Sequence, residues 1–431
     1  MDTTPTTDQI IAAADALYDE SVELLSELVR HPSTLGNEAS AQNYIAEVFA
    51  DLGLMVDKFE IDINTIKDEQ GFSPVDWSYE GKENVVAIHQ PQRNTGRSLI
   101  FNGHMDVVPE GPADMWTDGP YEPVVRDGRL YGRGGGDMKA GIVSYTMAFK
   151  ALQTMGLQPA APVYLQSVIE EECTGNGALA CLTRGYKADA AIIPEPFDQS
   201  LMIGQMGVMW FRVLVRGKPA HVLDTSAGIN AIEAAFELVQ ALKGLEEEWN
   251  DDQVRHESYE GAKHPVNFNL GVIKGGEWPS SVPTECSFKM RVGFFPGIKP
   301  AEIREVVLKT ISEAAQNNPG MKKTPPVVEF IGFQAEGCTI DPEEAMMQMM
   351  ADVHTRVTGR DPVYRSTTAT TDARFFNLYG NIPATCYGPE ADSIHGIDES
   401  VGLESFKEVT RVLAVFLAEW CGTEPLIRKT L

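Results

Sequence analysis

The sequence predicts an α/β protein: a mixed-sheet catalytic domain with helices on both faces, into which a smaller ferredoxin-like βαββαβ domain is inserted. Three observations predict it. Short apolar strand-like runs alternate with helical patterns in the first part of the chain. The order then changes to βαββαβ, and the first pattern resumes towards the C-terminus. At 431 residues the chain is too long for one ordinary core. The expected division is 1–203 with 334–431 as one domain and 204–333 as the insert.

The elements follow in order. Ile11, Ala14, Leu17, Val22, Leu25, Leu28 and Val29 lie at helical spacing and predict one helix from Asp8 to Arg30, ended by His31-Pro32. A second helix is expected over Ala39–Leu52. Strands are expected at Val85–Ile88, Leu99–Asn102, Val163–Ile169 and Ala190–Ile193, with a helix from Lys139 to Met155. Asn64–Ser78 has little periodicity and reads as a loop. In the insert, Met209–Val215, Phe268–Ile273, Cys286–Phe295 and Val327–Ile331 read as strands, and Gly228–Leu245 and Ala301–Ala315 as helices. A helix over Pro342–Thr358, a strand over Ile382–Tyr387 and a closing helix over Leu403–Trp420 complete the first domain.

Composition narrows the function classes. With 35 basic and 62 acidic residues the formal charge is −27, which repels nucleic-acid phosphates and anionic lipid. The N-terminal MDTTPTTDQII lacks the basic and apolar regions of a signal peptide. No apolar run reaches membrane-spanning length; Val412–Trp420 is short and carries Glu419. Six cysteines without CxxC spacing read as reduced, buried thiols of a cytoplasmic protein.

Five stretches carry chemistry. In SLIFNGHMDVVP, His104 and Asp106 stand two apart at a strand end, on one face, where α/β sheets gather ligands; a structural strand-end histidine is the other reading. GRLYGRGGGDMKAG delivers Asp137 to a helix start through a glycine run that matches neither dinucleotide nor phosphate-loop spacing. It reads as a turn that is either structural or carries a ligand. The strand VYLQSVI ends in Glu170, Glu171 and Glu172, which repel one another unless solvated or neutralised by cations. On extended backbone, neighbouring Glu171 and Glu172 would point opposite ways and serve two roles. AAIIPEP ends in Glu195, and ADSIHGIDE offers His395. Each stretch has a bland reading; together they suggest one sheet edge on which these side chains converge.

HMDVVP, W-x3-P-Y-x-P, GRLYGRGGGDMK, the acidic triplet, PEP and the late histidine, in that order, resemble the co-catalytic zinc amidohydrolases and peptidases. That group includes acetylornithine deacetylase, succinyl-diaminopimelate desuccinylase, aminoacylase and glutamate carboxypeptidase. The resemblance covers nearly the whole chain. It implies two divalent metal ions, zinc first, with cobalt or manganese as substitutes. Asp137 would bridge both, His104 and Glu195 would complete one, and Glu172 and His395 the other. It further implies that Asp106 orients His104, that Glu171 is the general base and acid, and that a cis peptide follows Asp137. His221, in GKPAH of the insert, would polarise the scissile carbonyl, often from a dimer partner. Arg291 would grip a substrate carboxylate, and Arg374, near the site, would be a second substrate-binding residue. Pro279-Ser280-Ser281 departs from the asparagine the group often carries there.

The expected activity is hydrolysis of an amide-type C–N bond in a small molecule, foremost deacylation of an N-acyl amino acid. The expected assembly is a homodimer through the insert, which would also act as a lid. Rivals are a dipeptidase or carboxypeptidase, a hydrolase of an aromatic or heterocyclic C–N bond, and a catalytically silent binding or dimerisation protein. His31, His89, His256, His264 and His354 match nothing and read as structural or solvated.

Overall fold

A computed structural model describes residues 5–426; the first four residues of the polar N-terminal stretch lie outside the described residues. The central sheet has six strands: β1 (Met55–Glu60), β2 (Glu83–His89), β3 (Leu99–His104), β4 (Val163–Val168), β5 (Ala190–Ile193) and, far along the chain, β10 (Ala384–Cys386). Their spatial order is β1-β2-β4-β3-β5-β10. β4, β3, β5 and β10 run parallel, and β1 and β2 extend the sheet antiparallel. Alternation decides which face each side chain meets. Val85 and Ala87 join one core and Val86 another, while Leu99 and Phe101 point opposite to Ile100.

The larger core lies under the helices Ala140–Thr154 and Leu403–Cys421. The closing helix buries Phe406, Val409, Leu413, Phe416 and Trp420 at helical spacing. Each large apolar side chain removed from water there contributes roughly 1.5–3 kcal/mol, so a charge at Leu413 would undo the packing. The opposite face carries Asn176–Thr183, whose Cys181 meets Val86 and Val168. Among the described residues no helix is long and apolar enough to cross a membrane.

The insert is a second sheet with its own core. β6 (Gly207–Arg216), β7 (Phe268–Gly275), β8 (Glu285–Phe294) and β9 (Val327–Ala335) lie in the order β7-β8-β6-β9, all antiparallel. With helices Ala231–Trp249 and Pro300–Asn317 packed on it, this is the expected ferredoxin-like arrangement.

The departures are local. The first expected helix is two, Thr7–Asp15 and Tyr18–Arg30, because the chain bends at Ala16-Leu17 so that Ile10 and Leu24 both reach the same core. β1 was not expected; it is a short edge strand, MVDKFE, too polar to show a buried face. The one-turn helix Ile63–Ile66 overlaps the start of the Asn64–Ser78 segment, which is otherwise irregular.

Candidate active site

β3, β4 and β5 end side by side, and each delivers acidic or imidazole groups just past its carboxyl end. His104 closes β3 and is 1% exposed. Its Nδ1–H donates to the Asp106 backbone carbonyl at 2.8 Å, which fixes the tautomer and turns Nε2 towards the site. The expected Asp106 carboxylate contact is longer, at 3.7 Å. That carboxylate instead accepts the backbone N–H groups of Glu171 at 3.2 Å and Glu172 at 3.1 Å. It therefore tethers the loop after β4 to the end of β3. Burial pushes the Asp106 carboxyl up to about 8.

The three glutamates divide their work differently from the sequence expectation. The chain turns rather than extending: Glu170 has φ +67° and its carbonyl accepts the N–H groups of Thr174 and Gly175. Its side chain points inward and accepts from Trp77 Nε1 at 2.5 Å, Tyr79 Oη at 2.7 Å and Thr174 Oγ1 at 3.0 Å. With Glu170 as the anchor, Glu171 and Glu172 both face the site. Glu171 Oε2 lies 4.0 Å from His104 Nε2, and its buried Oε1 has no partner among the described residues. Burial, reinforced by the nearby Glu195, pushes the Glu171 carboxyl well above the ordinary range, although His104 pulls the other way.

Asp137 arrives on the glycine run. Gly134 has φ +76°, and a Cβ there would clash with Val107 Cγ1. A Cβ on Gly136 would meet Ala391 at 2.7 Å, so the loop is compressed to the volume of bare backbone. The Asp137–Met138 peptide is cis. Asp137 Oδ1 lies 3.1 Å from His104 Nε2 and Oδ2 lies 3.4 Å from His395 Nε2. His395 Nε2 is also 3.1 Å from Glu172, and Glu195 Oε1 is 3.8 Å from His104 Nε2. All five expected ligands thus meet, with Asp137 between the two histidines.

The electrostatics match that crowding. Burial alone would raise Asp137, yet hydrogen bonds with His104 and His395 hold it below the ordinary carboxylate range. Burial opposes the charged form of His395, but Glu172 and Asp137 raise it to about 11. The site thus gathers positive charge where cations would relieve carboxylate repulsion. The donors fit metal binding: His104, Glu171 and Glu195 offer atoms within 4.8 Å of one another, as do His104, Asp137 and Glu172.

The remaining expected residues lie apart from this cluster or beneath it. His221 is exposed on the insert, where its Nδ1 accepts the Leu223 N–H at 3.1 Å. Arg291, on β8, donates to the carbonyls of Asn267 at 3.4 Å and Thr368 at 3.0 Å and pairs with no carboxylate among the described residues. Arg374 is buried, and its guanidinium donates to the Thr371 and Thr174 carbonyls at 2.7 and 2.9 Å. It braces the loop after Glu172 from below. His89 and His354 are structural, bonded to the Pro159 carbonyl at 2.8 Å and to Tyr387 Oη at 2.7 Å.

Sequence reasoning passed over Asp372, Arg133 and Glu399. Asp372 is fully buried, neither carboxylate oxygen has a hydrogen-bond partner among the described residues, and burial lifts it to about 6. Its only signal was its place in TTDARFF. Arg133 and Glu399 form a buried ion pair; the signal was an opposite-charge pair, four residues before Asp137 and four after His395.

A mixed α/β sheet whose strand ends gather histidines and carboxylates that fit a metal, together with an inserted sheet domain, marks a metal-dependent hydrolase of amide-type C–N bonds. Residues 100–419 match the family model described as Peptidase family M20/M25/M40, and the chain belongs to that family. Among its relatives, N-formyl-4-amino-5-aminomethyl-2-methylpyrimidine deformylase of Halalkalibacterium halodurans is 28% identical over 438 residues, covering 96% of this chain and 97% of its own. Succinyl-diaminopimelate desuccinylase of Caulobacter vibrioides is 26% identical over 401 residues, covering 90% and 93%. The dipeptidase Dug1p of Saccharomyces cerevisiae superposes with a TM-score of 0.79 at 14% identity, covering 97% and 99%.

Proposed function

We propose that this protein removes an acyl group from the nitrogen of a small molecule, foremost an N-acyl amino acid, with two zinc ions held by His104, Asp137, Glu172, Glu195 and His395. Asp137 between the two histidines is the observation that carries the reading, since one carboxylate then serves both positions. Imidazole and carboxylate donors suit zinc; cobalt or manganese would be substitutes. The bound cations would lower the pKa of water and polarise the scissile carbonyl. Glu171, buried with one oxygen unengaged, accepts a proton from the attacking water and returns it to the leaving nitrogen. Asp106 holds the loop that aims it. His221 donates a hydrogen bond to the developing oxyanion once the insert closes or a second subunit presents it. Arg291, without a carboxylate of its own, binds that of the substrate.

The domains in this reading are 1–203 with 334–431 for catalysis and 204–333 as lid and dimerisation unit. The edge strand β7, whose outer residues Val272 and Ile273 are exposed, supports pairing between copies. The six buried cysteines, none in a disulfide, support cytoplasmic residence.

A second reading, deacylation of an N-acyl amine on an aromatic heterocycle, is favoured by the relative named as a pyrimidine deformylase. It is also favoured by the 69% exposed Trp278 in the departing turn Trp278–Ser281, which pairs with His221 through Ser281. A hydrolysis screen of zinc-loaded protein over N-acyl amino acids, dipeptides and N-formylated heterocyclic amines separates these readings. Turnover of the first set supports the main reading, turnover confined to the last set supports the second, and cleavage of dipeptides alone would replace both.

A further inference from the structure

The Arg133–Glu399 pair takes no part in the chemistry just described, yet it sits behind both ends of the ligand array. Both side chains are 1% exposed. Glu399 Oε2 accepts from Arg133 Nη1, and its Oε1 accepts the backbone N–H groups of Gly136 and Asp137, each at 3.1 Å. Arg133 Nη2 donates to the Gly396 carbonyl at 2.9 Å and to the Pro109 carbonyl at 3.5 Å. The backbones are joined as well, since the Gly132 N–H donates to the Glu399 carbonyl at 2.9 Å. One pair of side chains therefore fixes the peptide of Asp137 on one side and the Gly396–Ile397 peptide, one residue past His395, on the other.

The motif residues that the reaction leaves unused converge on the same pair. The Arg133 N–H donates to the Pro120 carbonyl at 2.8 Å, and its guanidinium lies 5.3 Å from the ring centre of Trp116. Asp398 accepts from the N–H and Oγ1 of Thr117 at 2.8 and 2.7 Å. W-x3-P-Y-x-P thus packs against the pair and its neighbour Asp398 through Trp116, Thr117 and Pro120.

A buried ion pair is a poor source of stability, because desolvation of both charges offsets their attraction. What it supplies here is geometry. We propose that Arg133 and Glu399 are positioning residues that set the separation of Asp137 and His395, and with it the affinity of the cation position those two share. Partners one step behind metal ligands typically alter affinity about 10–100-fold when removed.

The inference rests on the two-cation reading, and zinc competition titration against a chromogenic chelator separates the two. Wild-type protein binds two zinc ions. Glu399→Gln weakens the second by about 10–100-fold and changes the visible spectrum of the cobalt-substituted protein. Arg133→Lys, which keeps the charge but not the forked donor, falls between. The paired replacement Arg133→Met/Glu399→Met regains the metal-free melting temperature but not the zinc affinity, which separates positioning from stability. Wild-type zinc affinity and cobalt spectrum in Glu399→Gln would overturn the inference. So would recovery of both stability and affinity in the paired variant. If Glu399→Gln does not fold, Arg133→Lys decides by the same two readouts. Wild-type protein that binds fewer than two zinc ions would overturn the two-cation reading and the inference with it.

Discussion

Replacing Glu171 by Gln tests the chemistry of the site, because it removes proton-accepting ability at nearly constant volume. Most of the neighbouring carboxylates are engaged elsewhere, Asp372 excepted. Asp106 is engaged by two backbone amides, and Glu170 by Trp77, Tyr79 and Thr174. Glu172 lies against His395. A positioned general base contributes typically ~10²–10⁴-fold, and the upper end is the loss expected when Asp372 does not stand in. At about 1.36 kcal/mol per tenfold, 10⁴ corresponds to roughly 5.5 kcal/mol of barrier. The substitution also removes a buried carboxylate whose oxygen Oε1 has no partner among the described residues, so the metal-free variant should melt no lower than wild type. The assays are steady-state kcat, bound metal by elemental analysis and thermal unfolding. A kcat within threefold of wild type would refute the role. Loss of turnover together with loss of both metals would make Glu171 a ligand rather than a base.

His221→Ala should lower kcat about 10²–10³-fold with little change in KM, as expected for a donor that acts on the transition state; unchanged kinetics would exclude it. Arg291→Met should raise KM for a carboxylate-bearing substrate about tenfold or more, the worth of one charge-assisted contact, and leave an uncharged analogue unaffected. pH should act on the metal-free protein with a definite sign. Asp106 is held at about 8 when folded, and Glu171 and Glu195 are raised too, chiefly by burial. Groups that bind protons more tightly when folded contribute stability below their unfolded values near ~4, and that stability is lost as pH climbs through the folded ones. The metal-free melting temperature should therefore fall between about pH 5 and pH 8, while zinc-loaded protein changes less and binding releases protons. Calorimetry in buffers of different ionisation enthalpy measures both, and a metal-free stability that rises over that window would contradict the reasoning.

The strands and helices that position the site were legible because burial on both faces leaves unbroken apolar runs. β3 and β5 are fully buried and read at once. β1 was not, since an edge strand carries Asp57, Lys58 and Glu60 and shows no apolar face. The five ligands were legible as types at strand ends, but their meeting depends on long-range register that only the fold supplies. The acidic triplet shows the limit. Adjacent carboxylates suggested alternation, and the left-handed turn at Glu170 replaced it with one inward anchor and two site-facing groups. Asp372, Arg133 and Glu399 escaped notice because a single buried charge leaves no periodic trace, and Arg133 and Glu399 are paired across 266 residues of chain. Arg374 was expected at the substrate, and its burial against backbone carbonyls makes it a brace.

The central claim is that the strand-end cluster holds a pair of cations on which turnover depends. Elemental analysis of the purified chain, before and after chelator treatment and after zinc is restored, measures this directly. The account predicts about two divalent ions per chain, with hydrolysis lost on their removal and recovered on their return. Full activity in protein stripped of metal would contradict it.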